Sequence, residues 1–530
     1  MKLHSNERFN EKKLLLASLG CGVVHHYLFY DRSWGVSVPV FVLGFYLLFY
    51  TMAQGHIGRK KDPSLLLLLP VGLLALTYAL YTNMLFAVLN ALAIPFFVVL
   101  HTTWLTSRGG KAPIWVRMLE QVFVQTLLYA PRPFAVLFGW MSVRMKAGRS
   151  RTLMKVLLGL LLSVPLLAAV VGLLASADTM FDRSLARLPN LFEDVELGRI
   201  LFRALWIGAI TVGVFAYVAG LLQPKLWSSA RPASPYMPKT ASVPSANVEW
   251  DVLAADGAVS QATAPSAAPS DLRLDPTVAS TVLIALNAVY LLFAFVQFSY
   301  FFGGGGGAGA AALPEGVTYA SYARQGFAEL VVVTLINLTV LITFLYGVRR
   351  PGPIAWTLLR TLLALLVGCT GIMLSSAYLR LSMYEEAYGY TVTRLLVHAF
   401  MIFLLVLFVL ALVKLWREKL PLLRYYGITA LAAYVLINYM GIDAMIAQNN
   451  IKRYENSGVI DVGYLGGLSF EAVPHLVDLR KNHPELDAVE GVLHNFTYRL
   501  ERQEGSASWT EFNVSKRRAS QMLQPVKPAR

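Results

Sequence analysis

The chain has 530 residues, 56% of them hydrophobic and only 15% charged, with a net charge of +15. Soluble domains carry about 25% charged residues, and a water-soluble fold of this size has no place for so much apolar surface, whereas lipid does. The basic residues are spread between apolar blocks and not gathered in one domain, which argues against a nucleic-acid partner and reads as membrane orientation.

Blocks near 20 residues long suit helices that cross about 30 Å of hydrocarbon. Eleven spans are predicted: 14–30, 34–54, 64–82, 84–104, 153–175, 200–222, 277–300, 326–347, 354–379, 393–413 and 423–441. The first ends in bulky aromatics and lacks an A-x-A site, so it is read as a span and not as a cleaved signal. With the N-terminus in the cytoplasm, the inner segments hold about 25 Lys and Arg and the outer loops about seven. That bias orients the bundle, and an odd span count puts the C-terminal tail outside. Cys21 and Cys369 fall inside apolar blocks, which argues against a disulfide framework or a thiolate metal site. No metal and no cofactor is expected.

Segment 113–146 breaks the rhythm. Ile114, Trp115, Met118, Leu119, Val122 and Phe123 recur at helical spacing, as in a helix lying in the interface plane. A re-entrant hairpin bent at Pro131-Arg132-Pro133 is the alternative, and both stay open. Segment 224–275, rich in Pro, Ser and Ala, cannot bury enough surface to order itself and reads as a disordered cytoplasmic linker. It divides an N-terminal membrane bundle, 1–223, from a C-terminal one, 276–441. No internal repeat relates the halves. The run Gly303 to Gly307 lacks the Lys-Ser/Thr of a phosphate loop and reads as a tether. The tail, 442–530, is predicted to be helical and extracytoplasmic. Ser508-Trp-Thr-Glu511 resembles a capping box opening a last helix, with disorder after about residue 515.

Ionisable groups inside a membrane are costly and mark function by default. In the last four spans they gather at the outer ends. Glu329 lies just inside the eighth span, with Asn337 deeper. Arg380 ends the ninth, followed by Glu385 and Glu386. Arg394 and His398, at i and i+4, share a face at the start of the tenth. Asn438 and Asp443 end the eleventh, followed by Asn449, Asn450 and Arg453. The expected binding site is an outward-facing polar pocket of Glu329, Asn337, Arg380, Glu385, Arg394, His398, Asn438 and Asp443. The competing interpretation is that helix ends at headgroups carry charge in any case, with pairs such as Arg380–Glu385 tying the bundle. Elsewhere, adjacent His25 and His26 point to different faces and make a poor metal pair. Arg203 and Arg360 sit close enough to a face to snorkel, and Asn90 and Asn287 are ordinary interhelical hydrogen-bond formers. Zincin, Walker and nucleophile-elbow signatures are absent.

Ordered motifs carry a family resemblance: Tyr322-Ala-Arg-Gln-Gly-Phe-Ala-Glu-Leu330, Arg380-Leu-Ser-Met-Tyr-Glu-Glu-Ala-Tyr-Gly-Tyr-Thr391 with Arg394, Asn438-Tyr-Met-Gly-Ile-Asp443 onward to Ile451, Asp461-Val-Gly-Tyr-Leu465, and Leu468-Ser-Phe-Glu-Ala-Val-Pro474. Over roughly 280–480 the chain resembles the bacterial membrane family of domain of unknown function 4173, similar to the related 4153 set. The resemblance implies a multi-pass protein of the bacterial cytoplasmic membrane and carries no activity. The expectation is an all-α polytopic transmembrane bundle of about eleven spans with a small helical tail. Its expected partners are the lipid bilayer and an envelope component or small-molecule ligand at the outer face. A sensor or binding protein ranks first, a transporter second. A membrane enzyme on a lipid-linked substrate, with Glu329 or Glu385 as base and the arginines holding phosphate, ranks third.

Overall fold

The computed structural model describes residues 10–54, 62–106, 113–144, 195–224, 274–302, 327–348, 352–504 and 508–523. These are almost wholly helical. Seven helices are long and apolar enough to cross a bilayer, or eight if one bent pair counts as a single span. The protein is therefore an all-α multi-pass membrane protein. The expected span 153–175, nearly all of the linker 224–275 and the glycine run lie outside the described residues.

Two compact units divide the chain. The first comprises Met1–Lys225, Gly389–Ala399 and Gly427–Arg530; the second comprises Leu226–Tyr388 and Phe400–Tyr426. In the first, α1 (Glu11–Phe29), α2 (Ser37–Met52), α3 (Leu68–Leu80) and α4 (Met84–Thr106) follow the expected spans. α2 has 16 residues, short for a full crossing. Segment 113–146 forms α5 (Ile114–Leu119), a π-helical turn (Glu120–Gln125), α6 (Thr126–Tyr129) and, after a break at Ala130 and Pro131, α7 (Arg132–Arg144). It packs on α8 (Val195–Leu222) through polar ties: Gln121 Nε2 donates to the Tyr217 carbonyl at 2.9 Å, and the Tyr129 hydroxyl donates to that of Gln223. Arg132 pairs with Glu11 at 3.0 Å.

The second unit holds α9 (Pro276–Phe302), α10 (Phe327–Gly347) and α11 (Pro353–Tyr388) around a core of Leu283, Leu341, Leu359, Leu363 and Phe408. α11 was expected to end near residue 379. It runs unbroken for 36 residues, about 54 Å, because Leu381 and Glu385 continue its buried stripe and the next helix breaker is Gly389. α12 (Val392–Trp416) and α13 (Leu422–Tyr439) follow.

A 60° bend separates α13 from α14 (Ile442–Ser457). The bend rests on Gly441, at φ 61°, where any side chain would be strained. From there the tail folds as α15 (Val462–Gly466), α16 (Val473–Asn482), α17 (Asp487–Glu504) and α18 (Val514–Leu523). Its own apolar core includes Ile446, Leu465, Phe470, Leu476, Leu493 and Phe496, with Phe86 of α4 packed among them. Two local expectations change. Ser508 makes no side-chain capping bond; Asn513 caps the last helix, accepting from the Lys516 amide at 3.0 Å. That helix continues past residue 515 because Ala519 and Leu523, at i and i+4, are buried against the tail core.

Candidate functional site

The site is built where the tail meets the ends of α3, α4 and α13, all within the first unit. α3 stops at Leu80 and α4 begins at Met84, leaving Tyr81, Thr82 and Asn83 as the turn. Asn83 Oδ1 caps α4 by accepting from the Phe86 amide at 3.2 Å, which leaves its Nδ2 to donate to Asp443 Oδ2 at 3.0 Å. The Ser469 amide donates to the same oxygen at 3.0 Å. Asp443 is only 4% exposed, and its Oδ1 has no hydrogen-bond partner among the described residues.

Glu471 supplies the second carboxylate. Its Oε1 accepts from the Thr82 amide at 2.6 Å and the Thr82 hydroxyl at 2.9 Å; its Oε2 accepts from the Ser469 hydroxyl. Thr82 Oγ1 accepts in turn from the Phe470 amide at 3.0 Å. Ser469 thus touches both acids. Two turns along α4, Asn90 donates to Asn438 Oδ1 at 2.7 Å and to Thr77 Oγ1 at 3.0 Å, and accepts from the Tyr434 hydroxyl at 2.7 Å. A cavity of about 20 Å³ lies among Thr77, Asn83, Asn438, Gly441, Ile442 and Glu471.

The tail also completes α3. The last carbonyls of a helix have no partner within it. Here Asn513 Nδ2 donates to those of Tyr78 and Tyr81 at 2.8 and 2.9 Å, and Ser515 Oγ to that of Leu80 at 2.7 Å. Around the α1–α2 turn, Arg32 donates to Ser508 Oγ at 2.8 Å, Ser33 to Glu511 Oε2 at 2.8 Å, and the Val36 amide to the Phe512 carbonyl at 3.1 Å. Gly35 permits this approach: a Cβ there would lie 2.7 Å from the Phe512 carbonyl oxygen.

Of the eight residues expected to form one pocket, Arg394, His398, Asn438 and Asp443 belong to the first unit and Glu329, Asn337, Arg380 and Glu385 to the second. Asn438 and Asp443 join the site just described. Arg394 starts α12 and donates to the Gly389 carbonyl; His398 is buried one turn on. That turn is held by Asn450, which exchanges hydrogen bonds of 2.9 Å with both backbone groups of Tyr390, and by Tyr464, whose hydroxyl accepts from the Val392 amide at 3.0 Å. Burial pushes the Tyr464 phenol up; Asp443 adds to this and Arg394 opposes it, which places the phenol in the field of both.

In the second unit, Glu329 is exposed on the first turn of α10, while Arg380 and Glu385 are buried on α11. Asn337 is fully buried in a closed interhelical set, donating to Thr370 Oγ1 at 2.9 Å and accepting from the Tyr290 hydroxyl at 2.7 Å. Asn287 donates to the Leu362 carbonyl at 2.9 Å. Arg360 pairs with Glu418 at 2.8 Å.

Asn83, Ser469 and Glu471 were not singled out as site residues, although Ser469 and Glu471 stand in a motif that carried the resemblance. Only tertiary proximity joins that motif to Thr82 and Asn83. A family model described as Domain of unknown function (DUF4153) matches residues 68–479. It begins far upstream of the resembling region and includes α3 and α4, which supply Thr82, Asn83 and Asn90. No curated protein and no solved structure matches the chain.

Proposed function

The chain belongs to the DUF4153 family, and from that premise we propose that this multi-pass membrane protein is a sensor or binding protein of the bacterial cytoplasmic membrane. The tail stands outside the cytoplasm, and the ligand is read where the tail seats on the helix ends. The narrower likeness to the 4173 set belongs to the same proposal. The observation that carries it is the make-up of that joint: two carboxylates, one of them buried with an idle oxygen, and a set of amide and hydroxyl hydrogen bonds. The hydrogen bonds across the joint open at low net cost because water replaces each lost partner, and the burial forfeited with them includes that of Phe86, which packs into the tail core. The transporter reading gains less support, since Asn337 and Thr370, two of the deep polar residues such a path would use, bond each other across helices.

Hydrogen exchange on the detergent-solubilised full chain tests this. The amides of Thr82, Phe470 and Val36 cross the joint. They should exchange through a partial opening, faster than the amides of α16 in the tail core. Equal protection at both would make the tail a fixed part of the bundle and remove the receptor reading. A reporter active only outside the cytoplasm, fused after residue 445, should be active, and one fused within 230–270 silent.

A further inference from the structure

We propose that the tail segment 508–514 lies in the headgroup layer of the bilayer and that its partner is lipid; this goes beyond the receptor reading and does not depend on it. The polarity of the segment is inside out. Thr510 and Asn513 are buried, at 0% and 4% exposure, whereas Trp509, Phe512 and Val514 stand open at 55%, 39% and 45%. A surface facing water favours the reverse order, with polar groups outside and large apolar groups covered. Thr510 and Asn513 turn inward to be used: the first accepts from Arg32 at 3.1 Å, and the second caps α3. The apolar side chains between and beside them are left on the outside.

The surroundings identify what covers them. Trp509 Nε1 donates to the Tyr27 hydroxyl at 3.3 Å. Tyr27 ends an exposed apolar stripe on α1, formed with Leu16, Leu19 and Val23 at helical spacing. α1 lies tight along α8: a Cβ on Gly22 would come within 2.7 Å of the Ile207 carbonyl oxygen. α8 is long and apolar enough to cross a bilayer, so the stripe beside it faces acyl chains. α1 stops at Phe29, and Trp509 prolongs its stripe at that end. That is the depth at which Trp and Tyr collect in membrane proteins, one side of the ring apolar and the other wet.

Two arginines rim the patch. The Arg32 guanidinium lies 4.6 Å from the centre of the Tyr27 ring, and that of Arg517 lies 5.8 Å from the centre of the Phe512 ring. Among the described residues neither joins an ion pair. A guanidinium carries five N–H donors, and Arg32 meets Ser508 and Thr510 through one nitrogen, Nη1. Arginines laid on exposed rings at a helix end suit the phosphates of lipid headgroups.

The test uses the full chain with Cys21 and Cys369 replaced by Ala, reconstituted in nanodiscs of phosphatidylcholine and phosphatidylglycerol. Spin labels are placed singly through Phe512→Cys, Val514→Cys and, on the exposed charged surface of α17, Glu490→Cys. Collision with oxygen, which partitions into lipid, is compared with collision with a water-soluble nickel complex. The labels at 512 and 514 should favour oxygen several-fold more than the label at 490. If Phe512→Cys does not fold, Val514→Cys alone decides. Labels at 512 and 514 as open to nickel as that at 490 would put the segment in water and overturn the proposal. Labels shielded from both reagents would assign the patch to a protein contact and also overturn it. Hydrogen exchange at the joint reads the receptor separately, so either reading can fail alone.

Discussion

Helix α4 carries two polar clusters that differ in one respect. Asn83, Asn90 and His101 lie seven and eleven residues apart, spacings that return to nearly the same helix face. At the far end from the tail, His101 is 0% exposed, with Nδ1 3.2 Å from the Tyr46 hydroxyl and Nε2 3.4 Å from that of Tyr50. Beside it Thr102 Oγ1 bonds the Tyr217 hydroxyl at 2.6 Å. A neutral imidazole offers one donor and one acceptor, and both are used. At the tail end, Asp443 is nearly as buried but one of its oxygens is idle. Depth and polarity are therefore poor guides to a site in a membrane bundle. The two clusters differ in that both ring nitrogens of His101 are used, whereas Asp443 keeps one oxygen without a partner among the described residues.

That comparison breaks most visibly at His101. Replacing it with Phe keeps an aromatic ring but strands the hydroxyls of buried Tyr46 and half-buried Tyr50, at about 1–3 kcal/mol for a buried one. His101→Phe should lower stability in detergent by that order, as read by chemical or thermal unfolding. Asp443→Asn should cost little or be stabilising, since it removes an uncompensated charge. Equal losses in the two variants would collapse the distinction between a closed and an open cluster.

A smaller effect is expected at Asn513, which serves the joint without touching either acid. Asn513→Ala leaves the Tyr78 and Tyr81 carbonyls to water, costs about 1 kcal/mol, and should speed exchange of the Thr82 and Phe470 amides across the joint; unchanged exchange would mean that this cap does not hold the tail in place.

The smallest effect concerns pH. Burial lowers the affinity of His475 in α16 for a proton; Asp478 partly opposes this and Arg518 adds to it. The folded state thus resists protonation more than the unfolded chain, whose value lies near 6.5. Stability is unaffected well above that pH and declines as pH falls through it toward the folded value. His475→Gln should flatten the acid side of the profile; an unchanged profile would place the titrating group elsewhere.

Much of this was legible in the sequence for physical reasons. Lipid requires long apolar runs, so helices appear wherever such runs fall among the described residues, and polar residues at helix ends led directly to Asn438 and Asp443. Asn83 and Glu471 stayed hidden because their meaning depends on a meeting between the α3–α4 turn and a tail nearly 400 residues away. Asn90 reads as an ordinary interhelical tie, and its bonds to Thr77, Asn438 and Tyr434 fit that description. The length of α11 was missed because charged Arg380 and Glu385 look like a helix leaving the bilayer, whereas both are buried on a helix that continues.

The capping of α3 by Asn513 and Ser515 sets an order of events during synthesis. α3 is made early, yet three of its terminal carbonyls receive their partners only after more than 400 further residues have left the ribosome. A chain that stops short of residue 513 can insert its spans and still expose unfinished helix ends on the surface where the tail belongs. The last docking step thereby distinguishes a chain made past residue 515 from one that stops short of it.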